Sequence, residues 1–179
     1  MNILFLGGDK RYEYMIEALS KKHFVSSIGF DNLGNNINES NLKSLNLADF
    51  DIVLFPITGI NDKMEIKTLK GTIVLPEEPF YRLKYTKSCP IFFTGLKTNK
   101  LLELIPASQI LSFLDYEEVK EINDELSIKG TLDYIKNMKN DVVCILGYGK
   151  LGKELYWRLL DSRYKNFYNF KTKRTYISW

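Results

Sequence analysis

The stretch NILFLGGDKRYEYMIEAL, residues 2–19, decides the fold class. Its first part, Asn2–Leu6, is a short apolar run without polar alternation, the pattern of a strand buried on both faces. Gly7-Gly8-Asp9 interrupts the run, and Tyr12, Met15, Ile16 and Leu19 then recur at spacings of three and four, which places them on one face of a helix. The same rhythm continues downstream. Apolar runs at 24–30, 51–57, 71–75 and 90–93 end in turn formers, and 109–114 reads as a last strand of this series. Alternating strands and helices predict a parallel sheet flanked by helices. Residues 32–46, rich in Asn and Ser, read as a loop or a short irregular helix.

The chain has 179 residues, 45% of them apolar and 26% charged, which places it among globular proteins rather than disordered or low-complexity ones. Its 25 basic and 22 acidic side chains give a formal charge of +3, but the excess is local. Arg163, Lys165, Lys171, Lys173 and Arg174 lie in residues 163–179 with no acid, leaving 20 basic against 22 acidic groups in residues 1–162. Cys89 and Cys144 sit inside apolar runs and read as small buried hydrophobes rather than a disulfide or redox pair. The N-terminus lacks the pattern of a secretory signal, and no apolar run approaches the ~18 residues of a membrane span. A cytoplasmic protein without membrane partners is the expectation.

A second strand-to-helix turn lies further on. Ile128, Leu132, Ile135 and Met138 predict an amphipathic helix from Ser127 to about 140, followed by an apolar strand at 141–146. That strand runs into Gly147-Tyr148-Gly149-Lys150-Leu151-Gly152, and Leu151, Leu155 and Leu159 define the helix after it. A G-x-G-x-x-G between strand and helix is the context of a dinucleotide-binding turn: the first glycine for the bend, the second for close approach of a pyrophosphate, the third for helix packing. A tight turn with no ligand is the other reading. The acid expected about 20 residues beyond the glycines is missing. Lys171, Lys173 and Arg174 lie where a 2′-phosphate would be met, so NADP suits better than NAD if a strand forms there, while a frayed basic tail is the preferred reading.

A candidate site for a phosphate-like group or a carboxylate, Gly7-Gly8-Asp9-Lys10-Arg11, lies at the end of the first strand, where open α/β sheets bind ligands. Gly8 offers backbone N–H, Arg11 a bidentate guanidinium, and Asp9 a helix cap or an orienting partner for Arg11. Thr58, with Gly59, and Thr94, with Gly95, end their strands on the same edge, and a plain capped turn is the alternative. His23 is the single histidine and follows two lysines at a helix end, so His-based triads and His–metal sites are not expected. Asp115, Glu117, Glu118 and Glu121 read as a solvated face. Tyr164, Phe167, Tyr168, Phe170, Tyr176 and Trp179 alternate with basic groups, which would suit stacking on single-stranded nucleic acid, although a terminus without its packing partner is preferred.

Taken in order, GGDKR at 7–11, GFD at 29–31, the strand ending at Pro56, FFTG at 92–95, SIKGT at 127–131 and LGYGKLG at 146–152 resemble the family of dipicolinate synthase A subunits. The resemblance spans roughly residues 2–160 and implies a three-layer Rossmann- or flavodoxin-like first domain, a linker helix and the start of an NADP-binding domain. The implied boundaries are 1–126, 127–140 and 141–162, with 163–179 as a basic aromatic tail. It implies NADP-linked oxidation of a dihydro- or tetrahydrodipicolinate to pyridine-2,6-dicarboxylate in the mother cell of a spore former, together with a flavoprotein-like B subunit. The dicarboxylate would meet Gly8, Asp9, Arg11, Thr58, Thr94 and Gly95; the cofactor would meet Gly147, Tyr148, Gly149, Lys150, Leu151 and Gly152. Because the family continues past the glycine fingerprint, a C-terminally shortened chain is expected. Two functions stay open: an oxidoreductase subunit impaired by shortening, or a non-catalytic module docking with the B subunit. Covering the edge of strand 141–146 with a homodimer is a further expectation.

Overall fold

The computed structural model describes residues 1–30, 37–39, 42–138, 142–161 and 166–170, and the chain divides into two units, Met1–Tyr116 and Glu117–Trp179. Asp31 and the charged residues of 163–165 and 171–179 lie outside the described residues.

The first unit is built on strands β1 (Asn2–Leu6), β2 (Phe24–Ile28), β3 (Ile37–Glu39) and β4 (Ile52–Leu54). It continues through β5 (Glu65–Thr68), β6 (Gly71–Val74), β7 (Ile91–Thr94) and β8 (Ile110–Ser112). Six of these form one parallel sheet in the order β3-β2-β1-β4-β7-β8. Because successive side chains point to opposite faces, Leu4, Val53, Phe92 and Ile110 fall on one face, and Ile3, Phe5, Val25 and Leu54 on the other. Each face meets its own layer. Helix α1 (Lys10–Ser20) covers the second face with Tyr12 and Ile16, and α2 (Glu78–Leu83) and α3 (Asn99–Leu104) cover the first with Phe80, Leu83, Leu101 and Leu104. Phe55 anchors that layer, its ring 6.0 Å from Phe92 and 6.4 Å from Phe80. The helices start where capping chemistry dictates: the Asp9 carboxylate accepts from Arg11 N–H, and Thr98 Oγ1 accepts from Leu101 N–H at 3.3 Å.

Several features depart from the sequence expectation. Residues 71–75 do not extend the parallel sheet: β6 pairs antiparallel with β5 in a separate hairpin, turned at Leu69-Lys70 and held by Thr68 Oγ1 donating to the Gly71 carbonyl at 3.1 Å. The 32–46 segment matches its expected short irregular helix at Leu42–Ser44 but also contributes β3, paired with β2. Cys144 is exposed rather than buried, because strand alternation turns Ile145 inward beside it.

The second unit holds α4 (Glu117–Lys136), β9 (Val142–Leu146), α5 (Lys150–Asp161) and β10 (Asn166–Phe170). The helix expected from Ser127 begins ten residues earlier, since Glu117 and Glu118 suit the positive end of a helix dipole and the chain needs no apolar stripe to start there. β10 pairs parallel with β9, so part of the segment read as a tail is a strand. It falls in the uncharged stretch between Lys165 and Lys171, where Phe167, Tyr168 and Phe170 favour extended backbone. Ile135, Ile145 and Leu159 form this unit's core, and Arg158 bridges α5 to α4 through a bidentate pair with Glu125 at 2.6 and 2.9 Å. No described helix is long and apolar enough to cross a membrane.

Candidate functional site

In the first unit the strand order reverses between β1 and β4, the position where open α/β sheets form a ligand crevice beyond their carboxyl ends. Here the chain is drawn inward. Gly7 N–H donates to the Ile28 carbonyl and Gly8 N–H to the Lys67 carbonyl, both at 2.9 Å, so the β5–β6 hairpin closes over the end of β1. A methyl added at Gly7 would stand 2.5 Å from the Lys67 carbonyl oxygen, and one at Gly8 would meet the Tyr12 ring. Both glycines have positive φ, 70° and 141°. Asp9 and Arg11 form an exposed two-pronged pair, Nε to Oδ1 at 2.9 Å and Nη2 to Oδ2 at 2.5 Å. The Arg11 hydrogen bonds hold the Asp9 carboxyl below the usual carboxylate range, and Asp9 raises Arg11 in return.

Two of the other rim residues, Thr94 and Gly95, are bonded to their neighbours. Thr94 is fully buried and its hydroxyl donates to the Leu96 carbonyl at 3.0 Å; Gly95 C=O accepts from Ser112 Oγ at 2.6 Å. A methyl at Gly95 would lie 2.5 Å from the Ile57 carbonyl oxygen. Thr58 is exposed in the turn closed by Gly59 N–H donating to Pro56 C=O at 2.8 Å. Asp9, Arg11 and Thr58 therefore face solvent, while Gly8, Thr94 and Gly95 hold strand ends together. Tyr12, marked by its spacing only as an apolar helix residue, is also a polar group here: its buried hydroxyl donates to the Phe55 carbonyl at 2.9 Å.

In the second unit, a cavity of about 540 Å³ opens in front of the glycine turn. Gly147 bends the chain with φ 111°, and a methyl at Gly152 would collide with the Gly147 carbonyl oxygen, so Gly152 lets α5 start against β9. Gly149 differs. Like one at Gly147, a methyl there meets no atom within 4 Å, but Gly149 lacks the positive φ of Gly147, and it lines the cavity. Leu151 and Gly152 sit in the first turn of α5, whose N–H groups lack intrahelical acceptors. Tyr148 turns toward its own helix, its ring 6.2 Å from Tyr156 with Lys153 Nζ 5.6 Å above it.

The opposite wall comes from α4. Asp124, Ser127 and Thr131 share one helix face, and Lys150 Nζ pairs with Asp124 at 3.0 Å. The spacing of three and four was readable in the sequence; the facing of these residues to the glycines was not. Among the described residues no cluster of His, Cys, Asp and Glu suits a metal ion.

A Rossmann-like α/β unit followed by a β-α-β unit with a glycine-rich turn defines the class to which this chain belongs. Residues 2–116 match the N-terminal domain of the dipicolinate synthase A subunit, and the chain belongs to that family. Its fold is similar to that of the dipicolinate synthase A subunit from Bacillus halodurans, with TM-score 0.68 and 21% identity, covering 89% of this chain and 58% of that one. The corresponding dipicolinate synthase chain from Bacillus subtilis matches with TM-score 0.63 and 17% identity, covering 90% and 57%. The chain thus spans less than two thirds of the length of either. No curated protein matches.

Proposed function

We propose that the chain serves as the A subunit of dipicolinate synthase, binding NADP at Gly147, Gly149, Lys150, Leu151 and Gly152 and serving oxidation of a dihydrodipicolinate to pyridine-2,6-dicarboxylate during sporulation. The observation that carries the reading is the family match over 2–116 combined with a glycine turn whose Gly149 faces an open cavity. NADP supplies hydride-acceptor chemistry: the substrate gives up a hydride and a proton as its ring becomes aromatic. The chain's own contribution is to bind and orient. The N–H groups of the first turn of α5 hold a pyrophosphate, and the exposed Arg11, which spends only part of its five donors on Asp9, offers the rest to a substrate carboxylate.

One observation favours a second reading, a non-catalytic module docking with a B subunit: the Gly7 and Gly8 amides are already bonded within the protein and leave no open cradle for a dianion. Titration with NADP, followed through Trp157, which is 60% exposed on α5, separates the two. Saturable binding that G149A weakens supports the first. Absence of binding at millimolar NADP, with co-purification of a B subunit, supports the second.

A further inference from the structure

Lys150 opens α5, at the positive end of the helix dipole, where a cation is disfavoured and an anion preferred. Its placement is explained by α4. Asp124 presents a carboxylate only 22% exposed to the same cavity, 3.0 Å from Lys150 Nζ, and Glu117 stands 4.0 Å from that nitrogen. An acid is thereby fixed beside the turn where a ligand's phosphate is expected. Left alone it would repel such a ligand; paired, it occupies the one lysine of the glycine turn.

We infer that Asp124 is a positioning residue that competes with the ligand's phosphate for Lys150, so that α4 sets the phosphate affinity of the glycine turn. The inference rests on the nucleotide-binding reading above and adds its regulation. A phosphate entering the cavity takes Lys150 over from Asp124, and the site is therefore tuned for ready release rather than tight retention. Asp124 carries the negative charge that makes the exchange costly, and Ser127 and Thr131, beside it on α4, donate to their own helix carbonyls at 2.7 Å and compete for no phosphate.

The test is calorimetric titration of the full chain and of D124N and K150M with NADP and, separately, with the uncharged nucleoside adenosine, with melting curves for each protein. D124N is expected to bind NADP about fivefold more tightly and K150M about fivefold more weakly, the scale of one partly exposed charge pair, with adenosine unchanged. A structural role alone would shift melting and both ligands together. NADP affinity that is the same in the unaltered chain and D124N, or an equal gain for adenosine, overturns the inference and leaves the nucleotide reading standing. Failure of both the unaltered chain and D124N to bind NADP overturns the two together.

Discussion

The hydroxyl of Tyr12 donates a 2.9 Å hydrogen bond to the carbonyl of Phe55, across 43 residues of sequence, and so ties α1 to the chain leaving β4. Burial raises the Tyr12 phenol above its usual value, which keeps it a donor at all ordinary pH. Y12F removes the donor and leaves a buried carbonyl unpaired, with an expected loss of about 1–2 kcal/mol in denaturant unfolding. An unchanged midpoint would mean that water reaches Phe55.

Ser27 is the opposite case. It is 1% exposed, and its hydroxyl has no hydrogen-bond partner among the described residues. S27A should therefore be neutral or raise stability by up to about 1 kcal/mol, while S112A, which loses the 2.6 Å bond to Gly95, should lower it by about the same amount. Paired urea melts compare them directly.

Gly149 and Gly152 predict opposite behaviour within one motif. G149A places a methyl in open space and should melt with the unaltered chain, yet bind NADP about tenfold more weakly. G152A collides with the Gly147 carbonyl and should loosen α5, read as lost helicity in the far-ultraviolet spectrum.

The Asp9–Arg11 pair carries a pH signature. Asp9 is lowered from its ordinary value of 3.8, so the pair's stabilisation is present above that value and is lost as pH falls through the lowered one. Both side chains are more than half exposed, so the gain is only a few tenths of a kcal/mol. D9N should be slightly less stable than the unaltered chain at pH 6, and the gap should close toward pH 2; a gap that widens in acid contradicts the pairing.

The two thiols should be distinguishable. Cys144 is exposed, whereas Cys89 is partly buried, its thiol raised by burial and donating to Gln109 Oε1 at 3.0 Å. An aromatic disulfide reagent is expected to label one thiol rapidly in the native protein and the second only on unfolding.

Where burial and period agree, the sequence is a sufficient guide. Ile3 to Leu6 are buried on both faces and read as a strand; Tyr12 and Ile16 recur at helical spacing and pack on it. β5 escapes because Glu65 and Lys67 flank a single buried Ile66, too little apolar pattern to separate from a loop. The first half of α4 escapes because Val119, Ile122 and Leu126 stay exposed, so its apolar residues do not mark a buried face. The glycine turn is legible from strand, spacing and helix together. Asp124 is not, since its meeting with Lys150 depends on how α4 packs on α5. The closure of the Gly7-Gly8 end is invisible for the same reason: Lys67 lies 59 residues from Gly8 and becomes its acceptor only through the hairpin.

That hairpin makes the Gly8 amide a clock for its own opening. The amides between β1 and its neighbours exchange with solvent deuterium only when the sheet itself comes apart, but the Gly8 proton is released whenever β5 lifts away from the end of β1. A difference between the two exchange rates would measure directly how often the crevice beyond β1 becomes accessible.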